Sequence, residues 1–298
     1  MSSYNGEKYI VDQIESIMQQ KSQHKIDLLI RDDGSKDHTC DAIEMLKQKY
    51  NSRIRLIKGE NIGSNASFFT LIMMAAGYDF YAISDQDDVW LENKLDIAVN
   101  SLIQNDNAFN KPLLFASTSF LVHDDMIPFG KTREKLREFS LYNTIIQNIC
   151  PGHTQVFNNS LLDLLKECIP DKVYVYDAWI TNVAMLFGNI VFSNEAYTYY
   201  RQHMQNQLGY GKGRFGRLWV SFHHTLAGDG SKYKNQIVTF MSLYENELRR
   251  QKKYYAILEF ISANSFWRRF IVCCKTPIYR QNRIETMFFL VSYLCGLF

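Results

Sequence analysis

Apolar residues in the first half of the chain alternate between two periods. Ile10, Ile14, Ile17 and Met18 recur at helical spacing and predict a first helix, followed by a short apolar run, Ile26 to Ile30, that reads as a buried strand. Ile43, Leu46 and Tyr50 make a second helical face, Ile54 to Ile57 a strand, Ala66 to Ala76 a helix, Phe80 to Ser84 a strand and Glu92 to Leu102 a helix. Leu113 to Val122 and Ile190 to Ser193 add further strands, with a polar stretch from His123 to Glu138 after the first of them. Helix and strand in alternation predict an α/β fold, a mostly parallel central sheet between helices. No internal repeat and no low-complexity segment interrupts the pattern.

Two of these strands run into acidic tips. The apolar run at Tyr81 ends in Ser84-Asp85-Gln86-Asp87-Asp88-Val89-Trp90, and in an extended chain residues two apart share a face, which would aim Asp85 and Asp87 the same way. Such a pair suits one hard cation, Mg²⁺ or Mn²⁺, whose remaining ligands are water and substrate phosphate oxygens, so the implied ligand is a diphosphate. The strand at Ile26 leads into Arg31-Asp32-Asp33-Gly34-Ser35-Lys36-Asp37. Ligands of open parallel sheets sit beyond the carboxyl ends of the strands, where both tips can face one nucleotide.

Composition narrows the class. With 298 residues, 46% of them hydrophobic, the chain can bury one substantial core and an appendage. A net charge of +2 argues against a nucleic-acid binder. The six cysteines form no CxxC pair and no metal-ligand spacing, and no apolar signal segment opens the chain, which fits a reducing cytoplasmic setting.

Three later segments carry polar chemistry. Cys150-Pro151-Gly152-His153-Thr154-Gln155 is a turn whose glycine permits close backbone approach to a ligand. Tyr176-Asp177-Ala178-Trp179 opens a helical run, and periodicity alone makes Asp177 a helix cap. Tyr199-Tyr200-Arg201-Gln202-His203 follows a strand; there a lone histidine is ordinarily a surface residue. Beyond Asn206 a stretch of Gly209, Gly211, Gly213 and Gly216 interleaved with Lys212, Arg214 and Arg217 reads equally as a flap over a diphosphate or as a hinge, and it is not a P-loop. In the tail, Trp267-Arg268-Arg269-Phe270 is an amphipathic basic patch, and Met287 to Phe298 is apolar but shorter than the roughly 20 residues of a spanning helix. That tail is expected either to lie in a membrane interface or to pack on the core or a second subunit, as in a homodimer.

Taken in order, Ser3-Tyr4-Asn5-Gly6-Glu7-Lys8-Tyr9, Asp32-Asp33-Gly34-Ser35-x-Asp37, Asn61-x-Gly63 and Asp85-Gln86-Asp87-Asp88-Val89-Trp90 with Asn93-Lys94-Leu95 resemble family 2 inverting glycosyltransferases of the GT-A, Rossmann-like fold. Within that family the pattern is most similar to bacterial rhamnosyltransferase-like enzymes of polysaccharide biosynthesis. The resemblance implies a catalytic domain over residues 1–206 and a helical extension over 207–298. It implies a nucleotide pocket of Ser3, Tyr4, Asp32 and Asp33, donor contacts from Asp85, Lys94 and Arg201, and a metal held by Asp85, Asp87 and His203. It places the loop at Gly152 over the sugar and acceptor pocket and makes Asp177 the general base, with Asp88 and Glu195 as the other carboxylates in reach.

The implied reaction moves a sugar, rhamnose from dTDP-rhamnose first and a hexose from a UDP donor second, to a hydroxyl of a growing, lipid-linked glycan. The implied place is the inner face of a bacterial cell membrane. The family has an apolar first strand before the Ser-Tyr-Asn-Gly turn, whereas Met1 stands directly in front of Ser2 here, so most of a central strand is expected to be missing. A non-catalytic nucleotide-sugar-binding or glycan-binding subunit is the reading that this loss favours.

Overall fold

A computed structural model describes residues 1–106, 110–132, 134, 137–168, 170, 174–202 and 229–297. The chain forms two compact units, one of residues 1–134, 150–169 and 187–206, the other of residues 135–149, 170–186 and 207–298. The segments 135–149 and 170–186, which the sequence joins to the catalytic half, thus cluster with the tail.

The first unit begins with a parallel sheet in the order β1-β2-β3, where β1 is Ser2–Ser3, β2 Leu28–Asp32 and β3 Ile54–Lys58. Helices α1 (Ile10–Met18) and α2 (Thr39–Tyr50) supply the crossovers. The spacing of Ile10, Ile14 and Ile17 places all three on one face of α1, and they bury against Ile30, Ile43 and Leu46 in one core. Strand β1 pairs for two residues only, Ser2 with Arg31 and Ser3 with Asp32, against five for β2 with β3.

A second, mixed sheet has the order β4-β8-β6-β9-β5, with β7 on β6. Its strands are β4 (Phe80–Ala82), β5 (Val89–Trp90), β6 (Leu113–Val122), β7 (Pro128–Lys131), β8 (Val156–Asn158) and β9 (Asn189–Arg201). Only β6 and β9 pair in parallel, from Leu113 opposite Asn189 to Val122 opposite Arg201. Parallel pairing thus holds through the first three strands and between β6 and β9, while the other pairs of the second sheet are antiparallel. Helices α3 (Ser64–Met74), α4 (Lys94–Asn105) and α6 (Asn159–Glu167) belong to this unit. The polar stretch after Val122 contains β7, whose four residues are all exposed.

The second unit is helical, with α5 (Leu141–Thr144), α7 (Tyr176–Phe187), α8 (Asp229–Leu243), α9 (Glu245–Arg250), α10 (Tyr255–Ser262), α11 (Phe266–Lys275) and α12 (Arg283–Leu294). Trp179 of α7 is fully buried against Phe240 and Tyr244, with ring centroids 5.4 and 6.2 Å away. Gln236 of α8 accepts from the backbone N–H groups of Tyr174 and Val175 and donates to the carbonyl of Val175, which fixes the entry to α7.

The loops after β2 rest on a buried ion pair. The Arg31 guanidinium donates to Asp33 Oδ1, to Ser67 Oγ (3.1 Å) and to the Glu60 carbonyl (3.0 Å), and both charged residues are at most 5% exposed. Asp33 in turn accepts from the backbone N–H of Ile62 and of Gly63, both at 2.9 Å, holding the entry to α3, where Gly63 has φ +85°. Gly59 admits the guanidinium, since a Cβ there would lie 2.5 Å from an Arg31 nitrogen. Arg31→Met or Asp33→Ala alone should each cost about 3–5 kcal/mol, because the partner is left charged and dry. Arg31→Met with Asp33→Leu should recover more than half of that loss; urea unfolding of the three variants measures it, and equal costs for single and double variants would contradict the pairing.

Candidate active site

Chemistry collects in the first unit, beyond the ends of β2 and β4. Strand β4 stops at Ala82, the Ile83 N–H still donates to the Gln155 carbonyl (3.0 Å), and the chain bends at Gln86 and Asp87 before β5. Ser84 Oγ donates to the Asp85 carbonyl (2.8 Å) and accepts from Gln13 Nε2 (2.6 Å) just before that bend. Alternation along a strand therefore does not apply, and the residues brought together are three apart: Asp85 and Asp88.

His153 completes a group with them. The ligand atoms of Asp85, Asp88 and His153 all lie within 4.8 Å of one another. His153 Nδ1 stands 4.0 Å from Asp85 Oδ2 and 3.9 Å from Asp88 Oδ2. Its Nε2 lies 2.9 Å from the buried Ser119 Oγ, and its ring stacks on Tyr200 at 4.4 Å. We assign the proton to Nε2, donated to Ser119, which turns the Nδ1 lone pair toward the carboxylates, as the outer partner of a metal-ligating histidine does.

Burial sets the electrostatics. Asp88 is fully buried, and its pKa is raised well above the ordinary value by desolvation and then by the charges of Asp87 and Asp85. Burial, followed by the charge of Lys94, pushes His153 down to about 3, so its imidazole is neutral at pH 7. Lys94 is also fully buried; desolvation holds its pKa well below normal while Asp88 and Asp85 oppose that shift. Its ammonium donates to the His153 carbonyl (2.5 Å) and lies 3.6 Å from the Trp90 ring centroid. Among the described residues nothing donates a hydrogen bond to Asp88 Oδ2, a buried acceptor facing His153.

These features fit a divalent cation. Asp85, Asp88 and His153 would hold such an ion, each offering one ligand atom within 4.8 Å of the others. Two carboxylates and a neutral imidazole are a donor set for Mn²⁺ or Mg²⁺.

Around this group the expected residues take specific places. Arg201, at the end of β9, packs beneath the acidic bend: its backbone N–H donates to Asp88 Oδ1 (3.2 Å), its Nε to the Asp87 carbonyl (3.0 Å) and its NH2 to Asp12 (3.2 Å), and its guanidinium covers the Tyr9 ring. It is 3% exposed, and these contacts hold the bend. Lys94, expected at the donor, donates to the His153 carbonyl within the Gly152–Thr154 turn. Asp87 is not part of the three-residue group, because the bend replaces the strand that would have aligned it with Asp85. His203 lies outside the described residues.

Asp32 is 2% exposed and spends its carboxylate on the loop: Oδ1 accepts from Ser3 and Ser35 hydroxyls, Oδ2 from the Gly34 and Ser35 N–H groups. Asp33 is committed to Arg31 as described. Of the expected nucleotide contacts, Tyr4 is the exposed one. Gln86 ties it to the acidic bend, accepting from the Tyr4 N–H (2.8 Å) and donating to the Tyr4 carbonyl (3.0 Å), and a Cβ on Gly6 would lie 2.3 Å from the Gln86 amide oxygen. Asn5, Glu7 and Asp37 exchange further side-chain to backbone bonds between the first turn and the loop after β2. Asp177 belongs to the second unit, half-buried in the first turn of α7, where its Oδ1 accepts from the Ala178 N–H (2.9 Å). Of the other carboxylates, Asp88 is buried within the metal-type group and Glu195 is exposed on β9.

The Glycosyl transferase family 2 model matches residues 1–163. The chain belongs to that family. It is a glycosyltransferase of GT-A fold, which sets aside the non-catalytic reading. A dTDP-rhamnosyl transferase of Shigella flexneri, RfbG, is 26% identical over the full length of both chains. Among solved structures, Staphylococcus aureus TarS 1–349 in complex with UDP superposes with a TM-score of 0.53 at 21% identity, over 67% of this chain and 58% of that one. The mannosyltransferase PcManGT of Pyrobaculum calidifontis in complex with GDP-Man and Mn²⁺ gives 0.51 at 17% identity, over 99% and 84%. At these identities the structures establish the fold.

Two ligand candidates of this glycosyltransferase, Asp88 and His153, escaped the sequence reading as a metal pair. The available signals were the turn-forming Gln-Asp-Asp run after a short strand, which favours a bend, and the histidine beside Gly152. Mn²⁺ titration followed by electron paramagnetic resonance should show binding that Asp88→Asn and His153→Phe each weaken at least about tenfold. Because the Asp88 pKa is raised and the cation needs the carboxylate, binding should fall as pH is lowered from neutrality, well above the ordinary carboxylate value of 3.8. Binding that holds unchanged down to pH about 4 would remove Asp88 from the ligand set.

Proposed function

We propose that this glycosyltransferase transfers a sugar from a nucleotide diphosphate donor to a glycan hydroxyl with inversion, metal-assisted, with Asp177 as the general base. The observation that carries the metal-assisted reading is the orphan acceptor of Asp88 facing His153 Nδ1 beside Asp85. Bound there, a divalent ion would offset the negative charge that develops on the departing diphosphate. Asp87 and His203, the ligands expected from sequence, are the proposed further donors. Tyr4 borders the nucleotide, and Gln86 holds its backbone in register with the acidic bend.

The Asp177 carboxylate takes the proton of the acceptor hydroxyl as that oxygen bonds to the anomeric carbon, while the bond from that carbon to the diphosphate oxygen breaks. Attack from the side opposite the leaving group inverts the centre and needs no covalent sugar intermediate.

For the donor, full-length similarity to a dTDP-rhamnosyl transferase supports dTDP-rhamnose. The UDP in TarS keeps a UDP-hexose as the second reading. The acceptor is a growing glycan on a lipid carrier, which would place the enzyme at the inner face of a bacterial membrane.

Donor turnover with each sugar nucleotide, and the anomeric configuration of the product by NMR, test this reading. Asp177→Asn should lower kcat by about 10² to 10⁴ while leaving the donor KM within about twofold. Parental kcat in that variant, or a product that retains the donor's configuration, would overturn the assignment.

A further inference from the structure

We propose that α11 and α12 together form a docking surface for an anionic lipid bilayer. Both helices are amphipathic in the inverted sense. At about 100° per residue, Phe266, Trp267, Phe270 and Ile271 fall within one arc of about 140° on α11. All four are exposed, Trp267 to 72%, and no residue of α11 is buried. The half-buried positions of that helix, Arg269, Val272 and Cys273, lie on the other side. On α12, Ile284, Met287, Phe288 and Val291 share an arc of about 100° and are likewise exposed. Phe289 and Tyr293, on the opposite side, stack on Phe260 of α10 and anchor α12 to its unit. Each helix thus packs inward through the side opposite its richest apolar stripe, the reverse of a surface helix in water.

Charge identifies the occupant. Residues 251–298 carry seven Lys or Arg against two Asp or Glu, a net of +5 in a chain whose total is +2. The exposed Arg268 and Lys275 border the apolar stripe of α11, and the exposed Arg283 borders that of α12. Cations rimming an apolar, aromatic face match a bilayer whose headgroups are anionic and whose interior takes up Trp and Phe. An isologous contact with a second copy would instead bring these cations against one another. Among the described residues no helix is long and apolar enough to cross a membrane, so the mode is lying on the surface.

The purpose assigned to this surface, bringing the enzyme to a lipid-borne acceptor, rests on the function proposed above; the surface itself rests on α11 and α12. Full-length protein is sedimented with vesicles of phosphatidylcholine alone and of phosphatidylcholine mixed with phosphatidylglycerol, at low and high salt. The parent should partition onto the mixed vesicles and lose much of that binding in high salt. Trp267→Ser with Phe270→Ser should weaken partitioning about tenfold or more, since two aromatic side chains no longer leave water. Arg268→Ser with Lys275→Ser should remove about tenfold of the preference for phosphatidylglycerol. A parent that ignores the anionic vesicles, or an aromatic variant that binds them as the parent does, overturns the proposal. So does a parent that self-associates in sedimentation velocity while the aromatic variant is monomeric, which would give the face to a second copy. Donor hydrolysis without acceptor, measured on the same variants, reads the active site alone, so failure of the docking surface and failure of the proposed reaction are separable.

Discussion

A carboxylate that has left water must be compensated by what surrounds it, and Asp88 imposes that condition on the whole acidic bend. One of its oxygens accepts from the backbone of Arg201, which fixes the end of β9 against the bend. The other faces His153 across 3.9 Å. Lys94, whose pKa desolvation holds well below normal against the opposing pull of Asp88 and Asp85, donates from its side-chain nitrogen to the carbonyl of His153. Asp12, Asp87, Asp88, Lys94, His153 and Arg201 are thereby linked through direct contacts and charge, and the fold brings them together from α1, the acidic bend, α4, the Gly152 turn and β9. Isolated buried charges are expensive, and a divalent cation, which Asp85, Asp88 and His153 could hold, would offset that cost.

The same economy explains why several polar residues expected to meet the ligand meet the protein instead. Asp32 and Asp33 follow directly on a buried strand, so their carboxylates are drawn into organising the loops that a nucleotide would touch. Gln86, Asn5 and Glu7 then bind backbone groups of neighbouring loops, which holds three loops in register before any ligand arrives. Preorganisation of this kind places charge and hydrogen-bond groups without reorganisation at the moment of reaction.

The second unit follows a different logic. Its interior is built from Trp179, Phe240 and Tyr244, while α11 and α12 leave much of their apolar surface outside. A helix in an aqueous protein gains stability by burying its apolar stripe, and two adjacent helices that do the reverse are the basis of the docking surface proposed above.

Much of the fold was legible along the chain. The spacing of Ile10, Ile14 and Ile17, the short run ending at Ile30 and the long apolar strand at Leu113 appear in the structure where periodicity put them, because burial of a face is a local property that repeats with the backbone's own period. The motif order was enough to indicate the family, and the tail's basic and aromatic composition marked it as different from the rest. What the chain alone did not decide was which acidic residues converge. The sequence paired Asp85 with Asp87 by assuming a strand, whereas the backbone bends at Gln86 and Asp87 and Asp88 comes beside Asp85. His153 reaches them only because a turn some 65 residues later in the chain is held in place by Lys94 and Ser119. Periodicity records which side of an element is buried, but a site made by loops depends on contacts between segments far apart in sequence, and those exist only once the sheets have formed.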